Sequence, residues 1–102
     1  MAKSSNPKLK SIPLSALFYA LSDPLRLGII RCLIEKEEIS CGEFTCSVSK
    51  STLSHHFKVL REAGLIQKRE QGTRQFNSLR REEIEERFPG LLAAILNCRG
   101  PW

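Results

Sequence analysis

A capped amphipathic segment in the middle of the chain, from Ser49 to Gly64, sets the strongest limit on the fold. Serine is a preferred residue at a helix N-cap, and glycine is preferred just past a helix C-terminus. At about 100° per residue the segment has one apolar stripe. That stripe consists of Leu53, Phe57 and Leu60. The pattern predicts a helix with one face in a core and the opposite face in solvent.

The outward face of this predicted helix is rich in hydroxyl, imidazole and ammonium groups. It comprises Ser51, His55, Lys58 and Glu62, with Thr52 and Ser54 beside them. The two adjacent histidines therefore point in different directions. We expect His55 to face outward, and His56 to pack at the edge of the stripe beside Leu53 and Leu60. Two imidazoles that diverge in this way do not favour a shared metal ion.

Two further helices are predicted ahead of this segment, because Asp23 followed by Pro24 is typical of an N-cap and a first helical turn. The first covers about Leu14 to Leu21 and the second about Pro24 to Glu35. The second has a core face, formed by Leu25, Ile29, Ile30, Leu33 and Ile34, with Arg26 and Arg31 away from it. The first is apolar almost all round, which predicts burial on several sides.

A short helix is expected around Gly42 to Ser47, and a β-hairpin after the central helix. The hairpin's two strands meet at Glu70-Gln71-Gly72-Thr73, where glycine supplies the positive φ of a tight turn. Three cations lie near its tip: Lys68, Arg69 and Arg74. A hairpin this small has no core for them, so we expect them in solvent or against phosphate.

The end of the chain predicts a charged helical turn from about Glu82, a break at Pro89, and an apolar helix over Leu91 to Leu96. This helix and the first one are both apolar all round, which favours a dimer in which they pack against a second copy. The alternative is that they complete the core of one chain. We expect three regions: a flexible tail at 1–10, one folded domain at 11–98, and a short tail at 99–102.

Charge indicates the class of partner. The chain of 102 residues has a formal net charge of +5, and Lys50 to Arg81 alone holds eight basic and two acidic residues, a net +6. Such a segment favours nucleic acid as a partner. The polar N-terminus lacks the apolar core of a signal peptide, and no apolar run approaches a membrane span. We interpret the protein as cytoplasmic, with no membrane partner and no cofactor.

The order of these elements is that of a winged helix-turn-helix, mainly α with a small β-hairpin. The chain resembles the ArsR/SmtB (arsenic-repressor) family of bacterial transcriptional regulators in four stretches. These are ALSDPLRLGIIRCL (Ala20 to Leu33), SKSTLSHHFKVLREAGLI (Ser49 to Ile66), REQGTRQFNSL (Arg69 to Leu79) and LRREEIEERFPGLLAAIL (Leu79 to Leu96). The resemblance implies a homodimer, built from the first and last helices, that binds an operator in double-stranded DNA and represses transcription.

In such a dimer the central helices would enter successive major grooves of a near-palindromic site, about 34 Å apart. We expect three groups of contacts to DNA. Base edges or nearby phosphates would be contacted by Ser51, Thr52, Ser54 and His55. The DNA backbone would be contacted by Ser49, Lys50 and Lys58. The hairpin would add Lys68, Arg69, Arg74 and Gln75.

The chain departs from the metal-sensing members of the family. Ser40 and Gly42 stand where the Cys-x-Cys pair of the arsenite, cadmium and lead sensors would be expected. The zinc sensors use histidine on the last helix, and Glu82 to Cys98 contains none. Neither metal site carries over, so we predict no bound metal.

Four cysteines leave the effector open. They are Cys32, Cys41, Cys46 and Cys98, with no Cys-x-x-Cys pair. They are either small apolar residues without a sensing role, or a thiol switch, or a soft-metal site. Some family members sense oxidants or reactive sulfur with one cysteine on the second helix and one on the last, which implies Cys32 and Cys98 here.

Two other function classes fit the sequence less well. A Ser-His hydrolase would need a nucleophile, a base and an orienting carboxylate in one pocket, whereas these hydroxyls and imidazoles lie on an exposed helix without a glycine-rich oxyanion loop. We therefore expect no enzymatic activity. A winged helix can also serve as a protein-docking module, but a docking face has no need of the positive charge between Lys50 and Arg81.

Overall fold

The computed structural model describes residues 9–40, 44 and 48–98. Within these ranges a 3-10 turn, five α-helices and three strands follow one another. They are the turn Leu9–Ser11, α1 Leu14–Ala20, α2 Pro24–Glu35, β1 Ile39–Ser40, α3 Lys50–Glu62, β2 Ile66–Gln71, β3 Arg74–Leu79, α4 Arg81–Arg87 and α5 Leu91–Asn97. The predicted fold class, mainly α with a small sheet, is confirmed. Among the described helices, none has both the length and the apolar character needed to cross a membrane.

The core lies where α2, α3 and the base of the sheet meet. The predicted stripe of α3 is buried: Leu53, Phe57 and Leu60. Ile29, Ile30 and Leu33 of α2 are buried as predicted. Phe44 adds an edge-to-face contact with Phe57, the ring centroids being 6.2 Å apart. Burial of these side chains fixes which face of α3 is left for solvent.

Helix α2 begins where the sequence predicts, because Asp23 is its N-cap. The carboxylate accepts hydrogen bonds from the backbone N–H groups of Leu25, at 2.8 Å, and Arg26, at 3.2 Å. Burial acts to raise the pKa of Asp23, but these two hydrogen bonds and the charge of Arg26 hold that pKa below its ordinary value. The cap therefore starts α2 three residues after the end of α1.

The sheet has three antiparallel strands in the order β1-β3-β2. The predicted hairpin is present, with Gln71 opposite Arg74 and Gly72 at φ 62° in the two-residue turn. Strand β1 was not predicted. It has only two residues, Ile39 and Ser40, which pair with β3, and two residues cannot show the alternation that marks a strand in a sequence.

The folded region starts earlier than position 11. Leu9 is buried in the core, and the guanidinium of Arg87 donates hydrogen bonds to the carbonyl oxygens of Leu9 and Ile12. At the other end of the domain, α4 ends before Pro89 and α5 restarts after Gly90, as the proline predicted. Residues before Leu9 lie outside the described part, so the predicted tail is not tested further.

Two further predictions concern a short helix before α3 and the burial of α1. Of the segment from Gly42 to Ser47, where a short helix is expected, the structure describes Phe44 alone, so that prediction is not tested; Cys41 and Cys46 lie outside the described residues. Helix α1, expected to be buried on several sides, buries Leu17 and Ala20 only. Its other large apolar side chains are exposed in the single chain: Leu14 at 45%, Phe18 at 63% and Tyr19 at 60%.

Gly64 joins α3 to β2 at the point where the chain passes closest to the N-terminal turn. Its φ is 80°, and a Cβ at this position would lie 3.3 Å from both the Cα and the Cδ1 of Leu9. Only glycine satisfies both the backbone conformation and the close approach.

We predict that Gly64→Ala lowers the free energy of unfolding by about 2 kcal/mol or more, from positive φ and overpacking together. Gly72→Ala is the control, because Gly72 also has positive φ but has no heavy atom within 4 Å of the added Cβ. It should cost only about 1 kcal/mol. Equal losses in urea unfolding would contradict the role given to the Leu9 contact.

Candidate nucleic-acid interface

The N-terminus of α3 carries a cluster of hydroxyl groups. The Oγ of Ser49 accepts a hydrogen bond from the backbone N–H of Thr52 at 3.2 Å, which confirms Ser49 as the N-cap. The same Oγ donates to the Oγ1 of Thr52 at 3.0 Å and lies 3.2 Å from the Oγ of Ser51. Three hydroxyls thus gather at the positive end of the helix dipole, a position that favours phosphate oxygens.

The outward face of α3 is where the sequence predicts it. Every side chain of the helix that we expect at DNA is exposed: Lys50, Ser51, Thr52, Ser54, His55 and Lys58. This face combines donors and acceptors suited to base edges with two ammonium groups suited to phosphates. The helix can therefore present a polar surface while its stripe stays in the core.

His56 faces inward, as predicted, but it has a more specific partner than the apolar stripe. Its Nδ1 lies 3.0 Å from Nη1 of Arg26. A guanidinium has donors only, so Nδ1 accepts and the ring proton in this contact resides on Nε2. This hydrogen bond joins the central helix to α2.

Arg26 is the residue that sequence reasoning missed. The helical pattern placed it away from the core face of α2, and that prediction is wrong, because Arg26 is only 5% exposed. Its Nε donates to the carbonyl oxygen of Ala20 at 2.8 Å, and its Nη2 donates to that of Tyr19 at 3.2 Å. Its guanidinium also lies over the Tyr19 ring, 5.1 Å from the centroid.

One signal in the sequence could have found Arg26. A cation in the first turn of a helix faces the positive end of the helix dipole, which is unfavourable unless the cation has partners elsewhere. Here the partners are the carbonyl groups that end α1 and the imidazole of α3. Three helices that carry the site are thus joined at one guanidinium.

The hairpin, which we call the wing (β2, β3 and their turn), carries the second predicted set. Arg74 and Gln75 are exposed near its tip, and Lys68 lies 3.7 Å from a carboxylate oxygen of Glu70. Arg74 also sits over the ring of Phe76, at 5.0 Å from the centroid. The wing is therefore a short β-hairpin with positively charged side chains near its turn.

Arg69 has a partner that the sequence did not indicate. Its Nε and Nη2 each donate to one carboxylate oxygen of Glu38, both at 2.8 Å. The hydrogen bonds from Arg69 hold the pKa of Glu38 below its ordinary value; burial opposes them, and the charge of Arg69 adds a further lowering. The same hydrogen bonds raise the pKa of Arg69. That Arg69 contacts DNA stays a prediction.

The two described cysteines lie in different surroundings. Cys32 is half-buried against the core, and Cys98 is exposed at the end of α5. Cys98 lines a surface cavity with Arg31, the neighbour of Cys32 in the chain. Across the described ranges, no three His, Cys, Asp or Glu residues gather in a way that could hold a metal ion.

Comparisons with known proteins agree on the kind of domain. Residues 21–69 match the model of a helix-turn-helix domain family. An uncharacterized HTH-type transcriptional regulator of Bacillus subtilis (strain 168), YceK, is 44% identical over 82 residues, covering 78% of this chain and 82% of that protein. The arsenical resistance operon repressor of the same organism is 36% identical over 83 residues, covering 79% of this chain and 75% of that protein.

A solved structure gives the same fold. The crystal structure of an ArsR family transcriptional regulator superimposes with a TM-score of 0.65 over 98% of this chain and 100% of that one, at 20% sequence identity. At this identity the likeness concerns the winged helix-turn-helix fold alone.

The different surroundings of the two histidines generate a prediction about stability. We expect His56→Ala to lower the free energy of unfolding by about 1 to 3 kcal/mol, because it removes an acceptor from the buried guanidinium of Arg26. His55→Ala is the matched control, since it brings the same gain in helix propensity at an exposed position of the same helix. It should change stability by less than about 0.5 kcal/mol.

Chemical denaturation of the two variants checks this expectation. If both substitutions cost the same, the hydrogen bond between Arg26 and His56 does not stabilise the domain.

Proposed function

The chain belongs to the ArsR family of helix-turn-helix transcriptional regulators, and from this premise we propose that it acts as a homodimeric repressor of a near-palindromic operator. The observation that carries the proposal is the outward face of α3. Its polar side chains are exposed along the whole helix, whereas Leu53, Phe57 and Leu60 are fixed in the core. A helix held in this way can enter a major groove without rearranging the domain.

In this proposal the contacts divide by chemistry. Hydroxyl and imidazole groups of α3 meet base edges or adjacent phosphates, and cations meet the DNA backbone. The first group is Ser51, Thr52, Ser54 and His55. The cations are Lys50 and Lys58 on α3 with Lys68 and Arg74 on the wing, and the polar side chains of Ser49, at the N-cap, and Gln75, on the wing, lie beside them.

Dimerisation through α1 and α5 is supported by the exposed apolar side chains of α1. Leu14, Phe18 and Tyr19 would lie in contact with water in a single chain, and a second copy would cover them. Arg26 is hydrogen-bonded to the C-terminus of α1 and to His56 on α3. It would therefore fix α3, the recognition helix of this proposal, relative to the dimer interface. The position of α3 in turn sets the spacing of the two half-sites.

For the effector we propose a thiol switch formed by Cys32 and Cys98. Its support is placement: α2 packs against α5, and Cys98 shares a cavity with Arg31, one residue from Cys32. Two thiols would join in a disulfide, releasing two protons, while a two-electron oxidant accepts the electrons. A bond between α2 and α5 would pull on the helix whose first turn holds Arg26, and thereby move α3.

The first test of the proposal compares an operator from the promoter region with a random duplex. We expect His55→Ala to lower affinity for the operator about tenfold or more and affinity for the random duplex much less, since a base contact contributes about 1 to 3 kcal/mol of discrimination. Arg74→Ala should lower both affinities and reduce the salt dependence by about one phosphate contact. Equal losses on both duplexes for His55→Ala would exclude it as a base-reading residue.

The second test measures operator binding in reduced protein, in protein oxidised with diamide, and with added soft metal ions. We expect release on oxidation, reversal by a thiol reductant, and no release in Cys32→Ser or Cys98→Ser. Cys41→Ser and Cys46→Ser are the controls and should still respond. Release by metal alone would favour a soft-metal sensor, and release by no treatment would point to another effector.

A further inference from the structure

The guanidinium of Arg69 is occupied on three sides. Glu38 accepts two hydrogen bonds at 2.8 Å from Nε and Nη2, and the Oε1 of Gln71 accepts a third from Nη1 at 2.9 Å. Below it lies the ring of Phe76, 4.7 Å from the guanidinium carbon to the centroid. The guanidinium of Arg69 is thus held in place by Glu38, Gln71 and Phe76, which come from three parts of the chain.

The ion pair of Arg69 and Glu38 joins the wing to the segment before β1 and is open to solvent. Glu38 directly precedes β1, Arg69 lies on β2, and Phe76 on the middle strand β3 is opposite both Arg69 and Ser40. The pair therefore bridges the two outer strands across the middle one. Even so, the side chain of Arg69 is 49% exposed and that of Glu38 is 33% exposed. An external anion can reach the same guanidinium.

A carboxylate that offers two oxygens to the fork of a guanidinium has the geometry that a phosphate group also offers. Glu38 thus occupies the place that a DNA phosphate would take on Arg69. The other wing arginine, Arg74, lies over the same Phe76 ring at 5.0 Å. The two guanidinium groups consequently belong to one face of the wing, and a backbone that reaches one of them passes near the other.

We propose that Glu38 withholds Arg69 from the DNA backbone and so lowers the affinity of the wing for DNA of any sequence. The proposal rests on the proposed function in one respect, that the wing lies along DNA. Phosphate contacts carry no sequence information, and each one strengthens non-specific binding. By removing one such contact, Glu38 weakens binding to operator and random sites alike and makes both less dependent on salt. Arg69 then joins the wing to the segment before β1, and the carboxylate of Glu38 takes the place of a DNA phosphate on its guanidinium.

The experiment uses four variants of the full chain: Glu38→Gln, Glu37→Gln, Arg69→Gln, and the double variant Glu38→Gln/Arg69→Gln. Glu37→Gln is the matched control, because it removes the same charge from the neighbouring, exposed residue. Affinity for a random-sequence duplex is measured by fluorescence anisotropy over a range of salt concentrations. Circular dichroism and the unfolding midpoint show that each variant is folded.

We expect Glu38→Gln to steepen the dependence of log K on log salt by about 0.9, the value for one phosphate, and to raise affinity about fivefold to tenfold near 0.1 M salt. Glu37→Gln should leave the slope unchanged and alter affinity less than about twofold. Arg69→Gln alone should change the slope little, and the double variant should lose the gain of Glu38→Gln.

Three results would overturn the inference: equal effects of Glu38→Gln and Glu37→Gln, a gain that persists in the double variant, or a slope reduced by Arg69→Gln alone. The random duplex contains no operator, so these measurements do not depend on operator recognition. Failure of the proposed function shows differently, as equal affinity of the unmodified chain for operator and random duplex.

Discussion

The position of α3 relative to α1 and α2 depends on one buried guanidinium. Arg26 donates to two carbonyl groups at the end of α1 and to the imidazole of His56 on α3, while its own backbone is part of the first turn of α2. A buried charge is costly unless all its donors are satisfied, so the three helices must adopt one mutual arrangement to satisfy it. Apolar packing alone is less directional, because side chains of similar volume can repack at small cost. The hydrogen bonds of Arg26 add direction to the packing of α3 against α1 and α2.

Other arginines have comparable structural roles, and this changes what the net charge means. Arg81 donates to the carbonyl oxygens of Leu33 and Ile34 at the end of α2, and Arg80 pairs with Glu83. Arg69 is held by Glu38. Several of the cations between Lys50 and Arg81 thus neutralise carboxylates or complete helix ends, which lack intrahelical partners for their last carbonyl groups. Part of the charge of that segment is therefore used within the fold itself.

The features that the sequence predicted correctly depend on residues close together in the chain. Asp23 and Ser49 cap helices through N–H groups two or three residues away, and Gly72 turns the hairpin within four residues. What the sequence did not predict depends on distant partners. Arg26 and His56 are 30 residues apart, and Glu38 and Arg69 are 31 apart. Strand β1 exists only because β3 pairs with it. A helical wheel or an alternation pattern contains no information about such pairs.

The candidate site shows the same division. Which side chains of α3 face outward could be predicted, because the stripe of Leu53, Phe57 and Leu60 fixes the rotation of the helix about its axis. Whether an outward cation is available to DNA could not, because that is decided by the acceptors that the rest of the fold brings to it. The two histidines are the simplest case: His55 follows from the wheel alone, whereas the role of His56 requires Arg26. In a small basic domain the cations that remain for nucleic acid are those without an acceptor in the fold, so their number is a property of the tertiary structure and not of the composition.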